Sequence, residues 1–441
     1  MVNFRMQKSV YIYTYGCQMN VHDSEKMFGV LAQSGYVRAE SAETADLIIF
    51  NTCAIREKAE QKFFSQLGRV KVLKRRRADI RIAVTGCVAQ EAKDKLFVRA
   101  PHVDFVVGPS NLHRVGDLVS TGERRTYLED DPDLGNREFS AQRENGIKCW
   151  VSIMYGCNNF CSYCIVPYTR GREISRPSAG IISEVRKLVE KGYKEVTLLG
   201  QNVNSYKSDI DFPELLRRID ALGIGRVRFV TSHPRDLSPR LIDAIAELPS
   251  VCEHIHLPLQ SGSDEILRRM NRRYSYARYL ENIKALRLRV PDIAITTDLI
   301  VGFPGESEDA YEDTVQALKE IEFDGIFAFK FSKRRGTAAF GMEDQISEEV
   351  KAKRLGRILD IQEGVTYNKN KLLEGSVQEI LVEGPSETDP DMLVGRSRMN
   401  KIVTIPEACG IGDFVMARIE RARLHSLEGA AVGRDKSAEC V

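Results

Sequence analysis

Between residues 150 and 331, short apolar, β-rich runs alternate with helical patterns six times, and this alternation limits the possible folds more than any other feature of the chain. The runs cover 150–154, 195–199, 227–230, 254–259, 293–300 and 326–331. Apolar residues at helical spacing fill 181–190, 213–221, 239–248 and 308–321. Ser238 before Pro239 supplies a capping residue and a proline at the first helical position. Strands joined by helical crossovers run parallel. Six such units are two short of a closed eight-stranded barrel, so the expectation is an open (β/α)6 partial TIM barrel. Its missing wall would admit a macromolecular substrate.

In βα barrels the chemistry gathers at the carboxyl ends of the strands. The first strand here ends in Y-G-C-N-N-F-C-S-Y-C, which places Cys157, Cys161 and Cys164 in a CxxxCxxC triplet. Ten cysteines in 441 residues produce such a triplet roughly 0.005 times by chance. Iron–sulfur clusters are held by thiolates, normally four, so three ligands leave one iron open. Structural zinc needs four closed ligands, usually two CxxC-like pairs. The chain has no second pair and no His at zinc-finger spacing, which favours the cluster over zinc or a disulfide. The other strand ends are polar or glycine-rich: Gly200-Gln201-Asn202, Thr231-Ser232-His233-Pro234, Gln260-Ser261-Gly262 and Val301-Gly302-Phe303-Pro304-Gly305. Gln201, Asn202, Ser232, Gln260 and Gly262, with Asp298 on the fifth strand, are candidate cofactor contacts. Turns are polar and glycine-rich in any protein, and for a single member that reading competes.

Residues 8–125 alternate strands (10–14, 47–50, 80–84, with 103–107 as a fourth) and helices, which reads as a Rossmann-like α/β domain. Cys17, Cys53 and Cys87 each follow one of the first three strands. Ligands bind beyond the carboxyl ends of strands in open α/β sheets, so three thiols at equivalent positions point to a second three-cysteine cluster. For any one of them a buried apolar Cys is the alternative. Residues 126–145, acidic and polar with Pro132 and Gly135, read as a linker to the core at 146–371. From 372 to 435 the pattern changes to short alternating runs at 377–382, 392–397, 401–405 and 414–419, broken by Gly375, Gly384, Gly395 and Gly410. This predicts a small antiparallel β-barrel. Arg396, Arg398, Lys401, Arg418, Arg421 and Arg423 recur through it, and small barrels of this kind bind RNA on one face or are merely soluble. Residues 436–441 read as a tail in which Cys440 is incidental, and Cys149, Cys252 and Cys409 read as single buried thiols. The basic run 71–77 reads as a solvated helix end or a phosphate contact.

A net charge of +2 does not by itself announce a nucleic-acid partner. No stretch approaches 18 uncharged apolar residues and the first ten residues lack a signal-peptide core, so no membrane partner and a cytoplasmic location are expected. Reduced thiols suit that compartment. A monomer is expected, since no large apolar face stands out.

The CxxxCxxC run resembles the signature of the radical S-adenosylmethionine (SAM) enzymes. The three segments in this order resemble the methylthiotransferases, which have a cluster-bearing N-terminal domain, a radical SAM core and a C-terminal TRAM barrel. The stretches that carry the likeness are Y-G-C-Q-M-N at 15–20, N-T-C-A-I-R-E-K-A-E-Q-K-F-F-S-Q-L-G-R at 51–69 and G-C-N-N-F-C-S-Y-C-I-V-P-Y-T-R-G-R-E-I-S-R-P at 156–177. L-L-G-Q-N-V-N-S-Y at 198–206 and T-S-H-P at 231–234 agree. F-S-K-R-R-G-T at 331–337 departs from it, because a proline commonly replaces the second Arg.

The resemblance implies two [4Fe-4S] clusters, each on three cysteines. Cys157, Cys161 and Cys164 would hold the SAM-cleaving cluster, and Cys17, Cys53 and Cys87 an auxiliary one. Tyr163 matches the position beside the adenine of SAM, with a core-anchored loop aromatic as the alternative. Arg170, Arg172 and Arg176 are candidate RNA or SAM contacts, or pair with Glu173 or solvent. The implied reaction adds a methylthio group to carbon 2 of an isopentenylated adenosine beside the tRNA anticodon. One SAM would be the radical source and one the methyl donor, with sulfur delivered through the auxiliary cluster. The implied partners are the tRNA anticodon stem-loop, a reductant such as flavodoxin or ferredoxin, and a sulfur carrier. Rival readings are the same chemistry on a ribosomal protein or on threonylcarbamoyl-adenosine, and a non-catalytic cluster-bearing RNA-binding protein.

Overall fold

The computed structural model describes residues 7–54, 57–119, 124–143, 146–387, 389, 391–406 and 409–432; the expected tail and Cys440 lie outside them. The N-terminal unit runs β1 (Ser9–Thr14), α1 (Gln18–Gln33), β2 (Val37–Arg38), β3 (Leu47–Thr52), α2 (Glu57–Arg76), β4 (Arg81–Gly86), α3 (Cys87–Ala92), α4 (Lys95–Arg99), β5 (Phe105–Val107) and β6 (Arg125–Tyr127). Among the described residues these strands form one parallel sheet in the order β2-β1-β3-β4-β5-β6. Every residue of β3 is buried because helices cover both faces. Ile48 and Phe50 pack on Phe63, Leu67 and Val70 of α2, while Leu47 and Ile49 pack on Met27 and Leu31 of α1.

The edge strands β2 and β6 were not foreseen, since two or three residues carry no periodicity. The stretch expected as linker begins inside β6 and stays packed. Asn111 Nδ2 donates to the Glu129 carbonyl at 2.7 Å, the Gln142 N–H donates to the Glu25 carbonyl at 3.0 Å, and Leu134 is buried. Hydrogen bonds to backbone, with Leu134 as an apolar anchor, hold a segment that has no periodic apolar face. Two residues of the basic run are likewise engaged, with Lys74 on Asp104 at 2.5 Å and Arg77 on Asp46 at 3.1 Å.

The core runs β7 (Lys148–Ser152), β8 (Met154–Tyr155), α5 (Val166–Thr169), β9 (Ile174–Ser175), α6 (Ser178–Glu190), β10 (Glu195–Leu199), α7 (Phe212–Asp220), β11 (Arg226–Phe229), α8 (Pro239–Glu247), β12 (His254–His256), α9 (Asp264–Arg269), α10 (Tyr276–Arg289), β13 (Ala294–Val301), α11 (Glu308–Ile321), β14 (Gly325–Lys330) and α12 (Glu348–Lys371). Parallel ladders join β7-β10-β11 and β12-β13-β14, and a bridge from Val227 to Val251 links the two. Six strands therefore follow one another in chain order, and among the described residues β7 and β14 are each paired on one side only. The open partial barrel is the expected one. β12 stops short of residue 259 because Pro258 has no N–H for the ladder. β13 alternates cleanly: Ile295, Thr297, Leu299 and Val301 are buried toward the helices, while Thr296, Asp298 and Ile300 face the half-open concave side.

The unforeseen helix α12 leads to a closed barrel of β15 (Val377–Pro385), β16 (Met392–Ser397), β17 (Ile402–Pro406), β18 (Phe414–Ala422) and β19 (Leu427–Ala431), in the order β15-β16-β17-β19-β18. Its ladders are antiparallel except β17 with β19, which run parallel. β19 reads L-E-G-A-A, which lacks the β-branched residues that mark a strand.

This barrel docks on the amino-terminal ends of the core strands, the mouth opposite the cysteine triplet. Lys148 pairs with Glu383 at 2.6 Å, and Arg226 reaches Glu379 at 2.9 Å and the Arg396 carbonyl at 2.7 Å. Arg398 grips Glu253 through two bonds of 2.7 and 2.8 Å, and Lys401 meets Asp324 at 3.3 Å. Arg398 and Lys401 are thus turned into the core instead of forming a free basic face, while Arg418 and Arg421 stay exposed.

Candidate active site

The cysteine triplet lies at the carboxyl end of the first core strand. Gly156 turns the chain at φ +66°, and a Cβ there would stand 2.0 Å from the Arg172 carbonyl oxygen. No other residue fits that turn. The loop is then pinned from several sides. The Cys157 N–H donates to the Gly171 carbonyl at 3.2 Å, and the Cys164 N–H to the Cys161 carbonyl at 2.9 Å. Asn271 Nδ2 donates to the Phe160 carbonyl at 2.9 Å, and Ser162 Oγ to the Arg269 carbonyl at 2.8 Å. Arg272, itself buried, donates from Nη1 to Cys161 Sγ at 3.3 Å. Burial raises the Cys157 and Cys164 thiols, the latter to about 12, and the Arg272 charge opposes that rise at Cys164. Metal binding requires thiolates, so this buried cation stands where thiolate charge would form. Sequence reasoning missed Arg272; its only signal was a charged residue inside the short N-R-R-Y turn.

Around this loop stand the other strand ends. Asn202 Oδ1, Ser232 Oγ and His233 Nε2 are buried without a hydrogen-bond partner among the described residues. Asn202 Nδ2 holds Asp236 at 2.7 Å, which aims the carbonyl oxygen away from that bond. His233 Nδ1 accepts from the Arg235 N–H at 3.2 Å, which leaves Nε2–H as a donor. Burial, with the Arg272 charge behind it, lowers this imidazole to about 2, so it is neutral. Orphaned buried polar atoms on adjacent strand ends are costly unless a polar ligand meets them. Sequence reasoning missed His233, although T-S-H-P places it at a strand end. Thr231 and Gln260 adopt φ of +67° and +73°, a strain of roughly 1–3 kcal/mol each that collects at functional sites. The Gln260 N–H donates to the Asp298 carbonyl at 2.8 Å, and Asp298 Oδ1 lies 3.4 Å from His256 Nε2 on the concave face. Gln201 is half-buried at the end of β10. Gly262 has a packing reason of its own: a Cβ there would lie 2.4 Å from the Asp313 carbonyl oxygen of α11. Tyr163 is half-buried against a small apolar cluster that includes Phe303 and Phe331.

The second triad is assembled from three strand ends. Cys17 caps α1 after β1, Cys53 follows β3, and Cys87 opens α3 after β4. Since β1, β3 and β4 are neighbours in the sheet, all three reach one edge. Gly16 turns at φ +132°, where a Cβ would meet Cys53 Cβ at 2.5 Å, and Gly86 turns at φ +88°, where it would meet the Thr52 carbonyl oxygen at 2.3 Å. Beneath the thiols, Asn20 Nδ2 donates to Asn51 Oδ1 at 2.9 Å and Asn51 Nδ2 to the Asn20 carbonyl at 2.7 Å, all buried. The Cys17 thiol is lowered to about 5, first by hydrogen bonding with Cys53. Among the described residues, no group of three His, Cys, Asp or Glu side chains is set to hold one metal ion.

One segment joins the two triads. Ile165, the residue after Cys164, packs in the N-terminal core with Cys87 and Val88. Arg170 is buried and pairs with Asp23 of α1 at 2.9 Å. Arg176 is buried on Glu184 at 3.0 Å, and Arg172 lies over the Phe160 ring at 4.4 Å. Arg170 and Arg176 are therefore interior ion pairs, engaged by partners other than Glu173 or solvent.

The model of the Radical SAM superfamily matches residues 151–318, that of Uncharacterized protein family UPF0004 residues 9–108, and that of the TRAM domain residues 371–432. Among solved structures, the radical S-adenosylmethionine methyltransferase TsrM from Kitasatospora setae superposes with a TM-score of 0.59 over 76% of this chain and 74% of its own, at 13% identity. The cobalamin-dependent S-adenosylmethionine radical enzyme OxsB gives 0.54 over 81% and 56% at 10% identity, a likeness of fold. In sequence, the tRNA-2-methylthio-N(6)-dimethylallyladenosine synthase of Thermodesulfovibrio yellowstonii is 52% identical over 96% of this chain and 98% of its own length. The protein of the same name from Syntrophus aciditrophicus is 48% identical over 96% and 94%. The chain belongs to the family of radical SAM tRNA-2-methylthio-N(6)-dimethylallyladenosine synthases.

Proposed function

We propose that this protein is a radical SAM transferase that places a methylthio group on carbon 2 of a dimethylallyl-bearing adenosine in tRNA. The observation that carries the reading is the convergence of two three-cysteine sites on one segment, with Cys164 at its start and Arg170 paired to Asp23 further along. Carbon 2 of adenine carries an unactivated C–H, and a general base has no acidic proton to take there. A four-iron cluster with SAM supplies one-electron chemistry suited to such a bond when bound.

In this reading Cys157, Cys161 and Cys164 hold that cluster, and Arg272 offsets thiolate charge at Cys161. The orphaned Asn202, Ser232 and His233 atoms, with Gln201, Gln260 and Asp298, supply polar contacts for SAM, and Tyr163 closes one side of the site. Cys17, Cys53 and Cys87 hold a second cluster that serves the sulfur step. The site lies at the mouth opposite the small barrel, and the open side between β7 and β14 leaves room for an anticodon base splayed from its loop. A low-potential reductant such as flavodoxin or ferredoxin and a sulfur carrier complete the partner set, and the chain acts as a monomer. Among the described residues no helix is long and apolar enough to cross a membrane.

The test is nucleoside mass spectrometry of tRNA after anaerobic reaction with SAM and reductant. A methylthio adduct on dimethylallyl-adenosine, and none on unprenylated adenosine, is expected. An adduct on threonylcarbamoyl-adenosine or on a ribosomal protein instead would assign the chain to the rival substrate.

A further inference from the structure

The concave face of β14 exposes two large aromatic side chains. Phe327 is 55% exposed and Phe329 43%, whereas Phe331, two residues further on, is buried against Phe303 at 5.2 Å between ring centroids. Their direction is settled by neighbours. Ile326 and Ala328 pack against the helix-lined core, so Phe327 and Phe329 face the opposite way. Phe327 pairs in register with Asp298 and Phe329 with Ile300, both on the concave side. The Phe327 ring meets His256 of β12 at 5.7 Å, across the intervening β13. Strands lie about 4.8 Å apart, so rings two strands away meet only where the sheet curls toward them.

The aromatic strip thus lines the inside of the barrel at its open edge, and its buried end, Phe331, joins the cluster that holds Tyr163 of the cysteine loop. Across from it stand polar groups, with His256 Nε2 at 3.4 Å from Asp298 Oδ1. Apolar surface left open on a concave face marks a place where an apolar group is received. The curated relatives are named for an adenosine carrying a dimethylallyl group on N6, a base with a polar edge and a branched hydrocarbon tail. We propose that Phe327 and Phe329 are specificity-determining residues that receive the dimethylallyl group, a role that rests on the substrate class proposed above. The occupant matches the surface on both counts: the hydrocarbon meets the two rings, and the polar edge of the base faces the His256 side of the same concave wall.

The experiment measures binding of two synthetic anticodon stem-loops, identical except for the dimethylallyl group, to the reconstituted full-length protein with SAM. Wild type should prefer the prenylated stem-loop by roughly tenfold or more, the discrimination an apolar pocket gives to a small hydrocarbon group. Phe327→Ser and Phe329→Ser should each reduce that preference by roughly threefold to tenfold and leave the unprenylated affinity within about twofold. Phe329→Trp keeps the strand apolar at an exposed position and narrows the groove, so it should weaken the prenylated stem-loop selectively even if the Ser variants misfold. Equal affinities in wild type, or equal losses for both stem-loops in all three variants, would overturn the proposal. Nucleoside analysis separates the two readings: a retained preference with no methylthio product from wild type contradicts the proposed reaction and leaves the aromatic wall standing.

Discussion

The two cysteine triads offer the same three sulfurs by opposite routes. Cys157, Cys161 and Cys164 lie within eight residues of one loop, fixed by Gly156 and by bonds from Asn271, Ser162 and Arg272. Cys17, Cys53 and Cys87 come from three strands and depend on the order β1-β3-β4 and on the buried Asn20–Asn51 pair. A contiguous site is specified by spacing, and the rest of the fold pins and shields it. A dispersed site exists only when its sheet is assembled, and the Asp23–Arg170 pair ties that assembly to the core.

The sharpest way to break this comparison is to remove one sulfur from each. Cys157→Ala should abolish reductive SAM cleavage, and Cys53→Ala should leave cleavage in place while stopping methylthio transfer. Chromatographic measurement of 5′-deoxyadenosine alongside nucleoside analysis reads both; cleavage surviving in Cys157→Ala would remove the triplet from its role.

Next in size is the interdomain pair. Asp23→Asn leaves the Arg170 charge buried and unpaired, which costs about 3–5 kcal/mol. Differential scanning calorimetry should show an early N-terminal transition, and iron loss should fall on the dispersed triad alone. An unchanged thermogram would mean that the two units do not rely on this contact.

Arg272→Met removes the donor to Cys161 and should lower cluster affinity or SAM cleavage about 10–100-fold, as loss of such outer contacts does. An effect under about twofold would leave Arg272 with a packing role only.

The smallest effect concerns Glu25 on α1, whose carboxyl is raised by burial from 4.5 to about 7. The folded chain then binds more protons than the unfolded one between those values, so stability falls as pH rises from 4.5 to 7. Glu25→Gln should flatten that slope, worth about 1–2 kcal/mol after solvent screening. Thermal melts at pH 5 and 8 check it, and a slope equal to wild type's would contradict it.

The contrast between the triads also explains what the sequence made legible. The contiguous triplet was readable from spacing alone. The dispersed triad was readable because each Cys follows a strand of four or more β-rich residues. What escaped was set by tertiary context. β2 and β6 are too short to show a period, β19 is built of small residues, and α12 has a polar face nearly all round. Arg398 and Lys401 could not be told apart from the exposed cations of the small barrel, because sequence does not reveal that Glu253 and Asp324 lie opposite them. Arg170 and Arg272 were hidden for the same reason: a buried cation is recognised by its partners, which stand 147 and 111 residues away.

The most direct test of the account is iron and acid-labile sulfide per chain after anaerobic reconstitution, for wild type and for the Cys157/Cys161/Cys164 triple Ala variant. Two clusters on separate triads give about eight irons falling to about four, with the remainder on the dispersed triad. About four falling to none would contradict it, because the strand-end cysteines would then hold no cluster.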